Sequence, residues 1–285
     1  MATFDIREWV TQSPEHRSFR EAVHTILAAI SGTPELQANM IMKGGILLAL
    51  GYESTRYTKD IDFSTPTLLD DFDPEDFRRR FEASLAGAVD QLDYGLDCRV
   101  QRYEQQPPRS DATFPTFRIN VGYANKSDSR SHRRLVRGTA PQIVEVDYSL
   151  NEPAGKPDSF EIADGMTIQT YSFADLVGEK FRAILQQEAR NRFRRQDIYG
   201  LHFLLTDHPD RASPLAKTAI LESLKERAAA RNLLVSRTSM QNPEIRRRSQ
   251  REYEDLRDEI DGDLPPFDEV YDAVKRYYES LPRET

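Results

Sequence analysis

The sequence predicts an α+β fold: an N-terminal domain built on a mixed sheet with helices packed against it, then a helical C-terminal domain. Two patterns predict it. Four stretches, YTKDIDFST, YGLDCRVQRYE, TFPTFRINVGY and QIVEVDYSL, alternate apolar and polar residues with the period of two expected of half-buried strands. From about residue 172 apolar residues recur at helical spacing instead, as in SFADLVGEKFRAILQQEA with Leu176, Val177, Ile184 and Leu185.

Taken in order, EHRSFREAVHTILAAI carries Phe19, Val23, Ile26, Leu27 and Ile30 on one helical face and ends near Gly32 and Pro34. LQANMIMK is short and apolar, a strand or the end of a helix, and runs into Gly44-Gly45. ILLALGY supplies two helical turns stopped by Gly51. In the next strand Ile61 and Phe63 alternate with Asp60, Asp62 and Ser64, so one face is apolar and the other acidic. Pro74 opens a helix over about 75–91 that buries Phe77, Phe81, Leu85, Ala88 and Val89. The three later strands read as an antiparallel run, with a basic loop, NKSDSRSHRRLVRG, before the last of them. Pro and Gly cluster at 151–158, which sets the expected boundary: domain 1–155, then domain 156–285. Ser172 is a good N-cap for the first C-terminal helix, and RRQDIYGLHFLL, 213–235 and 266–281 give three more. NPEIRRRSQREYEDLRDEIDGDLPP is charged throughout and reads as a solvated helix or a mobile connection.

Composition narrows the classes. The 285 residues suffice for two domains, and 30% charged against 38% apolar residues point to a heavily charged surface. No apolar run approaches the roughly 18–20 residues of a membrane span, and MATFDIREWV lacks the apolar core of a secretory signal. A single cysteine, Cys98, excludes an internal disulfide framework and a cysteine-based zinc site, so a reducing cytoplasm is the expected compartment. A net charge of −8 argues against a protein that coats nucleic acid wholesale, yet RSHRRLVR, ARNRFRR and EIRRRSQR could each track a phosphate backbone. A charge run is more often a solvated face.

The chemistry concentrates at carboxylates. Asp60 and Asp62 share one strand face, and Glu145 and Asp147 share another. If those strands are neighbours, the carboxylates converge, and a divalent cation between them relieves their repulsion; oxygen ligands of this kind suit Mg²⁺. Alone, D-x-D on a strand edge is ordinarily solvated. Gly44 and Gly45 let the backbone approach a ligand closely, and a helix starting there would point free N–H groups at a phosphate. Lys180, on an otherwise apolar helix, and Asp197, after the basic run ARNRFRR, could neutralise a triphosphate and orient the lysine, or form a structural ion-pair network.

Together these pieces resemble the polymerase-β-like nucleotidyltransferase superfamily, and more narrowly the AbiEii/AbiGii toxin family. The motifs are Lys43-Gly44-Gly45, Arg56 with Lys59-Asp60-Ile61-Asp62-Phe63, Val144 to Leu150 with Glu145 and Asp147, Glu179-Lys180-Phe181 and Arg195-Gln196-Asp197, spanning about 40–205. The resemblance implies Asp60, Asp62, Glu145 and Asp147 as metal ligands. It implies Asp60, Asp62, Glu145, Lys180 and Asp197 as catalytic residues, with Lys180 and Asp197 brought to the cleft by the C-terminal domain. Lys43, Gly44, Gly45, Arg56, Lys59 and Lys180 would bind nucleotide. The implied activity is Mg²⁺-dependent transfer of a nucleoside monophosphate from an NTP to an acceptor hydroxyl, RNA and foremost the 3′ end of a tRNA. The implied setting is a bacterial toxin–antitoxin or phage-defence pair, with a cognate antitoxin as partner. A small-molecule or protein acceptor, or a nucleotide-binding module without turnover, stays open. Two positions depart from the family: Ile46 replaces a Ser or Thr after the glycines, and Gly200 replaces an acidic residue in R-D-x-x-D.

Overall fold

A computed structural model describes residues 4–162 and 165–283. It divides into two compact units, Met1–Gly51 with Lys59–Thr170, and Tyr52–Thr58 with Tyr171–Thr285.

The first unit contains α1 (Ile6–Thr11), α2 (Arg17–Ser31), α3 (Pro34–Asn39), β1 (Ile41–Lys43), α4 (Gly44–Gly51) and β2 (Asp60–Ser64). It continues with α5 (Pro74–Gln91), β3 (Leu96–Gln106), β4 (Thr116–Asn125), α6 (Ser129–Val136), β5 (Ile143–Ser149), β6 (Asp158–Ile162) and β7 (Met166–Thr170). The strands form one seven-stranded sheet in the order β3-β4-β5-β2-β1-β7-β6. The sheet is mixed: β3-β4-β5 is antiparallel, while β2 runs parallel to β5 and β1 parallel to β7. The apolar sets of the alternating strands, Ile61 and Phe63, Phe117 and Ile119, Val146 and Tyr148, are buried. So are Val23, Ile26, Leu27 and Ile30 of α2 and Phe77, Phe81 and Leu85 of α5, which complete the core. Phe77 stacks on Tyr148 with ring centroids 5.0 Å apart, tying α5 to β5.

Two local expectations change, and the alternative left open for the charged segment is decided in favour of a helix. The basic segment before β5 is helical: Asp128 caps α6 by accepting from the Arg130 and Ser131 amides, and the buried Leu135 anchors it. The prolines and glycine at 151–158 precede a hairpin, β6–β7, that extends the sheet. These five-residue strands alternate apolar residues as β2 does, Phe160 with Ile162 and Met166 with Ile168, but they adjoin the Pro/Gly cluster that signals a boundary; β7 pairs with β1 and β6 with β7. The charged segment after 242 is ordered as α10 (Pro243–Gln250) and a 3₁₀ turn, Tyr253–Asp258, through ion pairs and the buried Ile245, Tyr253 and Leu256.

The second unit is otherwise helical: α7 (Phe173–Leu185) packs against α8 (Arg195–Asp207), α9 (Pro214–Ala229) and α10, and α11 (Phe267–Glu279) packs against α8. Ser172 caps α7 as expected, accepting from the Asp175 amide at 3.1 Å. At Gly178 a Cβ would lie 2.6 Å from Ser223 Oγ, so glycine is what lets α7 and α9 pack this closely.

Candidate active site

The neighbouring-strand condition is met. β2 pairs with β5 in a register that sets Asp60 opposite Glu145 and Asp62 opposite Asp147. Directly paired residues lie on one face, so two polar rows cross the sheet. One row reads Lys43, Asp62, Asp147, Arg118, Glu104; the other reads Asp60, Glu145, Asn120, Arg102. Opposite faces of the same strands bury the apolar residues, which is why the carboxylates cannot turn inward.

Two carboxylates side by side, Asp62 and Asp147, would repel. Cations flank them in the row. Arg118 Nε donates to Asp147 Oδ1 at 3.2 Å, and Lys43, paired with Asp62 in the sheet, has Nζ 4.0 Å from Glu152. Arg118 lies outside the set expected from sequence, although its alternation with Phe117 and Ile119 puts it on the polar face of β4. Asn120 Oδ1 is buried without a hydrogen-bond partner on this same face.

The glycine at the start of α4 has a definite structural role. Gly44 adopts φ +74°, a left-handed conformation, and a Cβ there would sit 2.0 Å from Asp62 Oδ2. The open side of Gly44 is thus filled by the carboxylate of the D-x-D pair. The expected cradle for phosphate at Gly44 is, in this structure, first a seat for Asp62. Gly44→Ala should strain the backbone by about 1–3 kcal/mol and push Asp62 aside, cutting nucleotidyl transfer by on the order of 10²-fold. Gly87→Ala in α5, where a Cβ meets nothing within 4 Å, should keep the wild-type rate and raise the melting temperature slightly, since alanine is favoured over glycine in a helix interior by about 0.5–1 kcal/mol. Ile46 is 1% exposed, packed into the core of the first unit, which explains an apolar side chain in place of a hydroxyl.

These residues fit a divalent cation as a pair rather than a cluster. Among the described residues no group of three or more His, Cys, Asp or Glu is placed to hold an ion. Mg²⁺ needs no such cage: it is typically held by one or two carboxylates, with substrate phosphates and waters completing the octahedron. Asp60, exposed, and Asp62, half-buried, offer that pair.

In the second unit Lys180 and Asp197 do meet, with Nζ donating to Oδ1 at 3.0 Å, and Arg194 lies 3.5 Å from the other oxygen. Lys180 is 8% exposed, so this pair is largely shielded from water. Burial pushes the Asp197 carboxyl up, but Lys180 and Arg194 outweigh it and hold the group below the usual carboxylate value. The sign follows from linkage: the stabilisation is complete above the unfolded-state value of about 3.9 and is lost as pH falls through the lower folded value. Asp197→Asn should therefore be less stable than wild type at neutral pH, with the gap closing as pH drops below about 4; acid unfolding of the two proteins measures it.

Arg56, expected to bind nucleotide, belongs to the second unit and is bound there. Its Nη1 lies 2.9 Å from Glu259 Oε2 and its side chain is 12% exposed. The local reason is an isolated bridge to Ile260 with Tyr57 N donating to Glu259 O, which leaves the guanidinium beside the Glu259 carboxylate. Lys59 is exposed, just before β2, and its carbonyl accepts from the Glu145 amide at 3.4 Å. Asp197 lies in the first turn of α8, two residues after the basic run ends at Arg195, and Gly200 follows inside that helix.

A family model described as "Nucleotidyl transferase AbiEii toxin, Type IV TA system" matches residues 25–273. Two solved structures are similar over nearly the whole chain. "Crystal structure of putative nucleotidyltransferase from H. pylori" is 14% identical, covering 94% of this chain and 95% of that one, with a TM-score of 0.49. "Crystal structure of JHP933 from Helicobacter pylori" is 13% identical, covering 94% and 92%, also with a TM-score of 0.49. A search of the curated proteins finds no match.

Proposed function

The chain belongs to the AbiEii nucleotidyl transferase toxin family of type IV toxin–antitoxin systems, and from that premise we propose that it transfers a nucleoside monophosphate from an NTP to an RNA hydroxyl, using Mg²⁺ held by Asp60 and Asp62. Membership makes it a nucleotidyltransferase with an NTP substrate and implies an antitoxin partner. The observation that carries the finer reading is the register of β2 on β5, which sets Asp60 and Asp62 beside Glu145 and Asp147 with Gly44 closed against Asp62.

When bound, the cation would polarise the α-phosphate and favour the deprotonated acceptor hydroxyl. Around it the chain's residues have separable tasks. Asp60 and Asp62 would hold the ion through their carboxylate oxygens. Glu145, opposite Asp60, takes the proton of the acceptor hydroxyl. Asp147, engaged by Arg118, keeps a cation beside the carboxylates so that two adjacent negative charges persist on one strand pair. Gly44 and Gly45 begin α4, whose first amides face the triphosphate. In the second unit Lys180, held by Asp197, is the candidate for counter-charge to a triphosphate. Lys43 and Lys59 add positive charge at the same strands. Fold and family do not name the acceptor; the tRNA 3′ end is the acceptor proposed first. No helix among the described residues is long and apolar enough to cross a membrane, and a cytoplasmic toxin acting in phage defence is the proposed setting.

The test incubates the protein with each α-labelled NTP, Mg²⁺ and total RNA, then asks where the label goes. Label in the tRNA band, dependent on Mg²⁺, supports the reading. Label only on protein or on a small molecule overturns the RNA acceptor, and no transfer with any NTP overturns the transfer itself.

A further inference from the structure

We infer that the exposed face of α6 is a docking surface for the phosphate backbone of RNA. The inference rests on RNA being the acceptor and adds the surface that holds it.

Arg130, Arg133, Arg134 and Arg137 recur at i, i+3, i+4 and i+7, so they line one side of α6 and its C-cap. All four are exposed. The other side is fastened to the sheet: Leu135 is 1% exposed, His132 Nε2 lies 2.8 Å from Asp97 Oδ2, and Gln101 donates to the Leu135 carbonyl at 3.2 Å. The Asp128 carboxylate at the start of the helix accepts from the Arg130 and Ser131 amides; hydrogen bonding from Ser131 first, and then the nearby Arg130 charge at a distance beyond an ion pair, hold its carboxyl below the usual value.

The contrast with the other basic runs is informative. In and before α10, Arg246 pairs with Asp268 and Asp272, Arg247 and Arg248 pair with Glu244, and Arg195 pairs with Glu252. Those arginines are neutralised within the chain, whereas Arg190 and Arg192 of the run before α8 are exposed with no ion pair among the described residues. Among the described residues no ion pair joins Arg130, Arg133, Arg134 or Arg137 to a carboxylate, in a chain whose net charge is −8. Like charges at these spacings destabilise a helix. The helix dipole favours cations near the C-terminus, which accounts for Arg133, Arg134 and Arg137, but Arg130 sits in the first turn, at the disfavoured end. An anionic ligand along the whole row accounts for all four.

The row spans about 10 Å of helix axis, enough to meet more than one phosphate, and guanidinium forks match phosphate oxygens. An acidic protein partner fits less well, since protein interfaces are anchored by buried aromatic or apolar side chains and this face is arginine throughout. A lipid surface needs an apolar helix face, and on α6 Leu135 is spent on the sheet, which leaves Val136 as the one apolar side chain the helix exposes, too little for such a face.

The experiment measures binding of fluorescein-labelled tRNA to the full chain, without NTP or divalent cation, across roughly 50–200 mM salt. A fourfold R130Q/R133Q/R134Q/R137Q variant should bind about tenfold or more weakly at the low-salt end and lose about 3 from the slope of log affinity against log salt, at ~0.7–0.9 for each phosphate no longer neutralised. The fourfold lysine variant should keep most of that slope. If the fourfold glutamine variant does not fold, Arg130→Gln and Arg134→Gln singly should each remove ~0.7–0.9 from the slope. Unchanged affinity and slope in a folded variant overturn the inference, as does a wild-type chain that does not bind RNA. Polyglutamate binding as tightly as tRNA, with the same loss in the variant, overturns it in favour of an acidic protein partner. D60A/D62A protein should bind tRNA like wild type, so failure of transfer and failure of docking are read separately.

Discussion

Replacing Asp60 and Asp62 together by alanine should reduce label transfer by at least about 10³-fold, equivalent to ~4 kcal/mol of lost transition-state stabilisation, with little change in melting temperature. The reason for the large rate effect is that phosphoryl transfer leaves a protein little covalent chemistry; the rate comes from positioning and charge neutralisation. Both functions pass through the two carboxylates proposed to hold the ion. The stability effect is small because Asp60 is exposed and Asp62 half-buried on a polar face, and removing their negative charges relieves repulsion with Glu145 and Asp147. A variant that unfolds, or one that keeps wild-type transfer, would sink the assignment. Calorimetry alongside the transfer assay separates these outcomes.

Replacing Arg227 should do the reverse, costing about 3–5 kcal/mol of stability. Arg227 is fully buried, with Nη1 2.9 Å from Asp175 Oδ1 and 2.6 Å from Ser223 Oγ, and its guanidinium carbon 5.0 Å from the Tyr171 ring centroid. Asp175 is 7% exposed and also receives a hydrogen bond from Ser223 at 3.0 Å. In Arg227→Met the neighbouring Asp175 and Glu179 lose their shared cation, and an uncompensated buried carboxylate is the costly result. The melting temperature should fall by roughly 10 °C. Arg227→Met combined with Asp175→Leu, which removes the stranded charge, should recover most of the loss, because a packed apolar pair often matches a buried ion pair. A single variant that melts like wild type would show that the network does not hold α7 to α9.

Much of the fold is legible in the chain because its elements have strong local periods. Ile61 and Phe63 against Asp60 and Asp62, or Val144, Val146 and Tyr148 against Glu145 and Asp147, declare strands with one wet face. Pro74 in the first turn and Ser172 at the cap declare helix starts. Less legible are elements whose stability comes from neighbours. β6 and β7 are short and become strands by pairing, and α6 is strongly basic, held by its cap, the buried Leu135 and the contacts of His132 with Asp97 and of Gln101 with the Leu135 carbonyl. The charge run around α10 is ordered by ion pairs with residues distant in the chain, which no local window contains.

By itself the sequence determined the composition of the candidate site: two carboxylates two residues apart on a strand, two more on a later strand, and a glycine pair before a helix. These depend on periodicity and on backbone freedom, both local properties. Only the tertiary structure decided how they are combined. Strand order put β2 beside β5, so that the carboxylates share one face, and it brought Arg118 from β4 to Asp147. Chain closure placed the bare Cα of Gly44 against the Asp62 carboxylate, leaving no room there for a side chain. It also committed Arg56 to Glu259 while setting the arginines of α6 along an exposed face. The physical reason is the same in each case. A residue's type sets which partners it can take, but hydrogen bonds and ion pairs reach only a few ångströms, so which partner it takes is settled by what the fold brings within that range.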